Sequence, residues 1–454
     1  MSGISLRTGL LSVVLLFGLT ACSSGLNLPS IPGFGGGNDE EEEADKSGRI
    51  SLALEEEQLT ADPNMASVAI ILPDPEPLTA WTQAGANPSK VVGHVAAAQD
   101  FEIAWRKSAV QGTNRSAALT TAPVSDGELI YVLDADQMVS AFRVSNGDRV
   151  WRERLRSGTR RDRASIGGGI AIDNGRVIVA SGYGFVAALD AETGEEIWRR
   201  DTTAPMTGSP TIKDGQVFVA SQNNEIFALD LETGSVNWSD QAISEDARVL
   251  ASPSPAAIEN LVIAPYSSGE VIAYLNANGR RLWVDALAAT SQLTPISSIN
   301  DIPARPVLSL GVVFASAQSG VTAAIDGQSG TRIWTQSIGS VQAPALVGEF
   351  LFIAGVDGKV ACLDRNTGNV VWVNQLRQFK NQKKKKGRVS YAGPIMASGK
   401  IIVANSLGEL LALSPQTGEV EDTLRLGDEV FLEPISVGDK LIILTDKGRL
   451  IAIR

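Results

Sequence analysis

The chain is poor in the residues that most chemistry needs. Its 454 residues include one histidine and two cysteines. A Ser-His-Asp triad would have only His94 to use, and a histidine-rich zinc site is excluded. Two thiols cannot build a cysteine-based zinc ribbon, an iron–sulfur cluster or a disulfide scaffold. Basic excess is missing too. The net charge is -12, which argues against a nucleic-acid binder, whose basic face must release counterions. Beyond the N-terminus no stretch reaches 18 consecutive apolar residues, so none reads as a membrane-spanning helix. Glycine and proline are plentiful, with 44 and 20 copies, which favours many turns over long helices.

The acidity is local. Residues 38–62 hold Asp39, Glu40 to Glu43, Asp45, Glu55 to Glu57 and Asp62 against only Lys46 and Arg49. The rest is nearly balanced. Upstream, Arg7 precedes an apolar run from Gly9 to Leu19, too short for the roughly 20 residues a spanning helix needs but suited to a secretory signal. Leu19-Thr20-Ala21-Cys22 then resembles a bacterial lipobox, with small residues before the cut and a thiol to carry diacylglycerol. The resemblance implies removal of residues 1–21, lipidation of Cys22 and stable anchoring by several acyl chains. Ser23, where retained lipoproteins carry Asp, implies the periplasmic face of the outer membrane. Residues 22–65 read as a flexible acidic tether, and 66–100 as a lead-in of unassigned role.

The body repeats. Ser140 to Trp151, Ala187 to Trp198 and Phe227 to Trp238 share one frame, which continues through Gly279 to Trp283, Gly330 to Trp334 and Gly368 to Trp372. Glycine precedes tryptophan by four residues each time. A seventh copy keeps Gly418 but has Asp422 where tryptophan belongs. Turn residues recur at Gly127, Gly175, Gly215, Asn260, Gly311, Gly348, Gly399 and Gly438, a period that suits a four-stranded propeller blade. The last unit ends one strand short, and Phe101 to Trp105 supplies the missing one. An all-β, eight-bladed propeller over 101–454 is expected, closed by its N-terminal strand joining the C-terminal blade and so protecting its sheet edges.

The repeat resembles the PQQ-type propeller family, whose motif is Ala-x-Asp-x-x-Thr-Gly-x-x-x-Trp. That resemblance implies that Trp105, Trp151, Trp198, Trp238, Trp283, Trp334 and Trp372 dock between blades. Asp190, Asp230, Asp326 and Asp364 share one repeat position and read as caps of turn amides. Cys362 takes a place filled elsewhere by Ala188, Ala228, Ala324 and Ala412, and reads as a small buried residue. No adjacent cysteine pair and no Asp, Glu and Asn cluster outside the frame suggest quinone chemistry, so no cofactor, no metal and no catalytic residue are expected.

The links between blades carry more information. Trp238 to Asn260, Trp283 to Gly311 and Trp372 to Gly399 span 22, 28 and 27 residues, against 14 to 17 for three other links. Such loops favour binding residues, although tolerated drift would also lengthen them. Adjacent blades would set the loops around Arg248, Val249 and Leu250 and around Asp301 and Arg305 side by side, as a mixed patch with arginine anchors. The third loop holds Lys380, Lys383 to Lys386 and Arg388, a solvated charge run or a contact for anionic headgroups or an acidic partner.

Lipobox, acidic tether and propeller together resemble the BamB family, lipoprotein subunits of the machinery that folds β-barrel proteins into the outer membrane. The resemblance implies a non-catalytic scaffold that binds the periplasmic part of a BamA-type subunit, other subunits of the complex and nascent β-barrel clients. Its only membrane contact would be the lipid anchor, and it would bind no nucleic acid. A quinoprotein dehydrogenase-like enzyme and an envelope glycan-binding propeller are the alternatives.

Overall fold

The computed structural model describes residues 59–157, 167–243, 253–287 and 301–454; Cys22, Arg248, Val249 and Leu250 lie outside them. Among the described residues there is no α-helix, only a short 3-10 turn at Pro63–Met65. The rest is strand and turn, as the dense Gly and Asn/Asp signals require. Four-stranded antiparallel meanders follow one another as blades 1 to 7, from Val124–Ser125 through Val420–Arg425.

Blade 8 closes the ring. Its three C-terminal strands, Ile435–Val437, Lys440–Leu444 and Arg449–Ile453, are completed by Ile103–Ser108, with Trp105 opposite Ala452. The expected closure is therefore present.

A sheet has two faces, and in a propeller each face packs on a neighbouring blade. The middle strands accordingly read as near-continuous apolar runs, such as Val217–Ala220 and Ile226–Leu229, and both are buried. The fourth strand forms the outer rim. In all eight blades its pairing slips by one residue immediately before the tryptophan position. Such a bulge re-aims the following side chain. It turns the ring toward the next blade and leaves the skipped residue, for example Ile197, Leu282 or Ile333, facing solvent.

Turns between first and second strands share one face with the Thr-Gly turns. Links between blades lie on the opposite face. Asn174-Gly175 and Asp214-Gly215 have positive φ at both positions, the geometry a two-residue hairpin with native twist demands.

Candidate functional site

The side chains that recur with the repeat are committed to holding blades together. Each docking tryptophan donates its indole N–H to a carbonyl of the next blade. Trp151 reaches Ala191 at 2.8 Å, Trp238 reaches Asn276 at 2.8 Å and Trp283 reaches Gly327 at 2.8 Å. Trp105, Trp198, Trp334 and Trp372 do the same to Val144, Leu231, Arg365 and Pro415. The next blade's Thr-Gly turn lies on the ring. A Cβ on Gly330 would sit 2.6 Å from Trp283, and one on Gly418 would sit 2.3 Å from Trp372. Opposite each tryptophan stands a small residue, Ala188 for Trp198 and Cys362 for Trp372. The Cys362 thiol is buried and its pKa is pushed up, chiefly by desolvation, so it packs as an alanine does and is a poor nucleophile.

Asp190, Asp230, Asp326 and Asp364 each accept backbone amides of the following turn, Asp190 from Thr193 at 2.8 Å. These bonds, with the hydroxyls of Thr193, Thr233 and Ser329 on the same oxygens (the Thr233 hydroxyl foremost at Asp230), hold the carboxyls of Asp190, Asp230 and Asp326 below the usual range. They are the expected turn caps.

The exception at Asp422 has a geometric cause. The blade that would receive its indole is blade 8, where the turn between third and fourth strands is replaced by the chain's own Arg454 and Glu102, joined by reciprocal backbone bonds. No turn glycine exists there to lie on a ring.

At the axis the structure adds what the repeat does not announce. Residues 78–98 run around the turn-face mouth of the channel as a strap. Leu78 accepts from Gly438 at 2.8 Å, and Trp81 pairs in both directions with Ser125. Thr82 accepts from Ile172 at 2.7 Å, Pro88 from Ala257 at 2.8 Å and Ser89 from Leu308 at 2.9 Å. The Gln83 side chain serves Ile212, Val95 accepts from Ser398, and Ala98 returns to Asp439 of blade 8. Seven blades are thereby contacted. The innermost strand of a blade has one unpaired edge, and buried amides need acceptors; the strap supplies them. His94 pins it to blade 7. Its Nε2 accepts from Gly399 at 2.7 Å, so Nδ1 carries the proton and donates to the Pro73 carbonyl at 2.7 Å. The only clue in the sequence was Trp81, a tryptophan outside the frame, now 1% exposed. The docked stretch also begins earlier than the expected end of the tether, since Leu59 is buried and Asp62 donates its amide to Val370.

The strap itself carries a buried amino group. Lys90 is 2% exposed and donates to Thr211 Oγ1 at 2.8 Å. Arg305 and Glu433 meet across the channel in a bidentate pair, with Nη1 to Oε1 at 2.8 Å. Desolvation first, then the Arg305 charge, hold the Lys90 ammonium well below its ordinary pKa, with Glu433 opposing. A Cβ on Gly85, which has φ +73°, would sit 2.6 Å from Arg305 Nε, so the strap can cross there only as glycine.

This placement corrects one expectation. Asp301 and Arg305 do not form an exposed patch. Asp301 is 4% exposed, and the guanidinium of Arg305 is spent on Glu433. The end of that link descends into the ring, where Ile302 joins the core between blades 4 and 5. Toward the link face the channel opens into a cavity of about 390 Å³ edged by Arg305, Glu433, Gln342, Arg388, Tyr391 and Phe431. The lysine-rich link folds as a hairpin, Phe379–Asn381 against Lys386–Arg388.

Among the described residues no group of three or more His, Cys, Asp or Glu side chains could hold a metal ion. No helix among them is long and apolar enough to cross a membrane.

Fold and docking geometry define a closed eight-bladed propeller of PQQ-type repeats. A family model described as outer membrane protein assembly factor BamB matches residues 157–374. Proteins of that name are similar along most of the chain. The one from Escherichia coli is 27% identical over 356 residues, covering 77% of this chain and 88% of that protein. The one from Xanthomonas campestris is 29% identical over 360 residues, covering 77% and 85%. The solved structure of BamB from Moraxella catarrhalis superposes with a TM-score of 0.63 at 16% identity, covering 77% of this chain and 98% of that one. A europium-containing methanol dehydrogenase superposes with a TM-score of 0.64 at 14% identity; at that identity the likeness concerns the fold alone. Over most of its length the chain is similar to proteins of the BamB family.

Proposed function

We propose that the chain is a non-catalytic scaffold of the machinery that assembles β-barrel proteins into the outer membrane, anchored through lipidated Cys22 at the periplasmic face. The observation that carries this reading is the match along most of the ring to proteins named outer membrane protein assembly factors, in a chain whose recurring Trp and Asp side chains are engaged in blade packing and turn capping. The docking surface for a BamA-type subunit is formed by the 245–251 and 293–305 links, which follow in sequence the outer strands Val236–Gln241 of blade 3 and Arg281–Ala286 of blade 4. Arg248, Val249 and Leu250 are its candidate contacts. Each blade also ends on an outer strand with one free edge, to which an extended client segment could add by β-augmentation.

The test is affinity purification of the lipidated protein from solubilised membranes, with mass spectrometry, beside an Arg248→Glu/Leu250→Asp variant. A barrel-assembly subunit should accompany the native protein and be lost from a still-folded variant. If no barrel protein accompanies either, the scaffold reading falls. Quinone-dependent dye reduction and retention on envelope glycan then become the assays of choice, the first because dehydrogenases share this fold.

A further inference from the structure

We propose that the lysine hairpin between blades 6 and 7 is a docking point for anionic lipid headgroups, separate from any acyl anchor. Residues 377–388 carry Arg377, Lys380, Lys383, Lys384, Lys385, Lys386 and Arg388, and no acidic residue. The structure divides these seven cations into two groups. Three brace the stalk. Arg377 donates to the Phe379 and Lys380 carbonyls, Lys380 pairs with Glu429, and Arg388 lies 5.7 Å from the Phe379 ring centre and donates to Val356. The other four, Lys383 to Lys386, stand at the tip, exposed, with no side-chain partner among the described residues.

The stalk lies outside the four-stranded frame of either neighbouring blade, so the repeat does not need it. A braced stalk fixes the backbone from which four ammonium groups project, so less remains to be ordered on binding. The chemistry of the partner follows from what surrounds the charges. The tip, residues 382–386, contains no aromatic or aliphatic anchor of the kind that centres protein interfaces. Consecutive lysines in a turn fan in several directions, which suits a diffuse sheet of phosphates better than one shaped acidic groove. Each such lysine near an anionic surface adds an attraction that screens within a Debye length. The remaining chain is acidic, so it would be repelled from that surface, and the hairpin would therefore set which face of the ring approaches it.

The experiment uses the full chain carrying Cys22→Ser, so that no acyl group contributes, and measures co-sedimentation with vesicles. Vesicles of phosphatidylglycerol and phosphatidylcholine should retain the protein at low salt, and pure phosphatidylcholine should not. Replacing Lys383 to Lys386 by glutamine should weaken retention at least about tenfold, as should raising salt to roughly 0.5 M. Arg152→Glu/Arg154→Glu, an equal charge reduction on the rim of blade 1, should change it little. An unchanged thermal transition would show that the lysine variant still folds. Retention equal in the two quadruple- and double-substituted proteins would overturn the proposal. So would a native protein that ignores anionic vesicles, including one that binds soluble polyglutamate through the same lysines, which would mark an acidic protein partner instead.

Discussion

The rim and the axis of this propeller are held by different means. At the rim one device is used seven times: an indole donates to the next blade's carbonyl and a turn glycine lies on its ring. At the axis a single strap makes a different bond to each of seven blades, through carbonyls here and a glutamine side chain there. Repetition works at the rim because every blade presents the same turn. It is not available at the axis, where a chain segment must cross successive blades at changing angles. Uniform, side-chain-specific contacts therefore leave a sequence pattern, whereas backbone contacts leave almost none.

The comparison can be broken first at the rim. Trp283→Ala removes a buried ring and its hydrogen bond to Gly327, and should cost about 3–5 kcal/mol in denaturant unfolding. Asp422→Ala at the equivalent rim position of blade 7 should cost under about 0.5 kcal/mol. Equal losses at the two positions would mean that the rim is not held by indole docking.

At the axis the expected effect is smaller and of opposite sign. The Lys90 pKa is lower in the folded chain than in the unfolded one. Between the folded value and the ordinary value of 10.5 the unfolded chain binds more protons, so stability rises with pH across that window and is lowest below it. Lys90→Met should then be more stable than the native protein at pH 7, by about 1 kcal/mol. That gain should shrink as pH approaches 10. A variant that loses stability at pH 7 would show that the bond to Thr211 outweighs desolvation.

The smallest effect sharpens the exception. Asp422→Trp restores the repeat letter but meets no turn glycine on blade 8, and should move stability by less than about 0.5 kcal/mol in either direction. A clear gain would show that the paired segments at Arg454 and Glu102 can receive a ring after all.

How much was legible follows the same division. The blade count, the closing strand and the turn caps at Asp190, Asp230, Asp326 and Asp364 follow from residue spacing, because each is a local rule applied in register, whereas the inter-blade role of the seven tryptophans came from the family resemblance. The absence of tryptophan at 422 was visible but not its reason, which depends on the two distant strands that meet at Glu102 and Arg454. Arg305 misled for a related cause. An arginine in a long link reads as surface, and its partner Glu433 lies 128 residues away.

By itself, then, the sequence determined the unit and the number of times it is used, since periodic burial and turn chemistry act over a few residues and need no knowledge of the whole. Only the tertiary structure decided what fills the axis: that residues 78–98 encircle it, that His94 is a neutral hydrogen-bonding link between strap and blade 7, and that Lys90 is buried over an ion pair. Those facts depend on which inner-strand amides are left without acceptors once the ring has closed, a condition that no segment of the chain carries on its own.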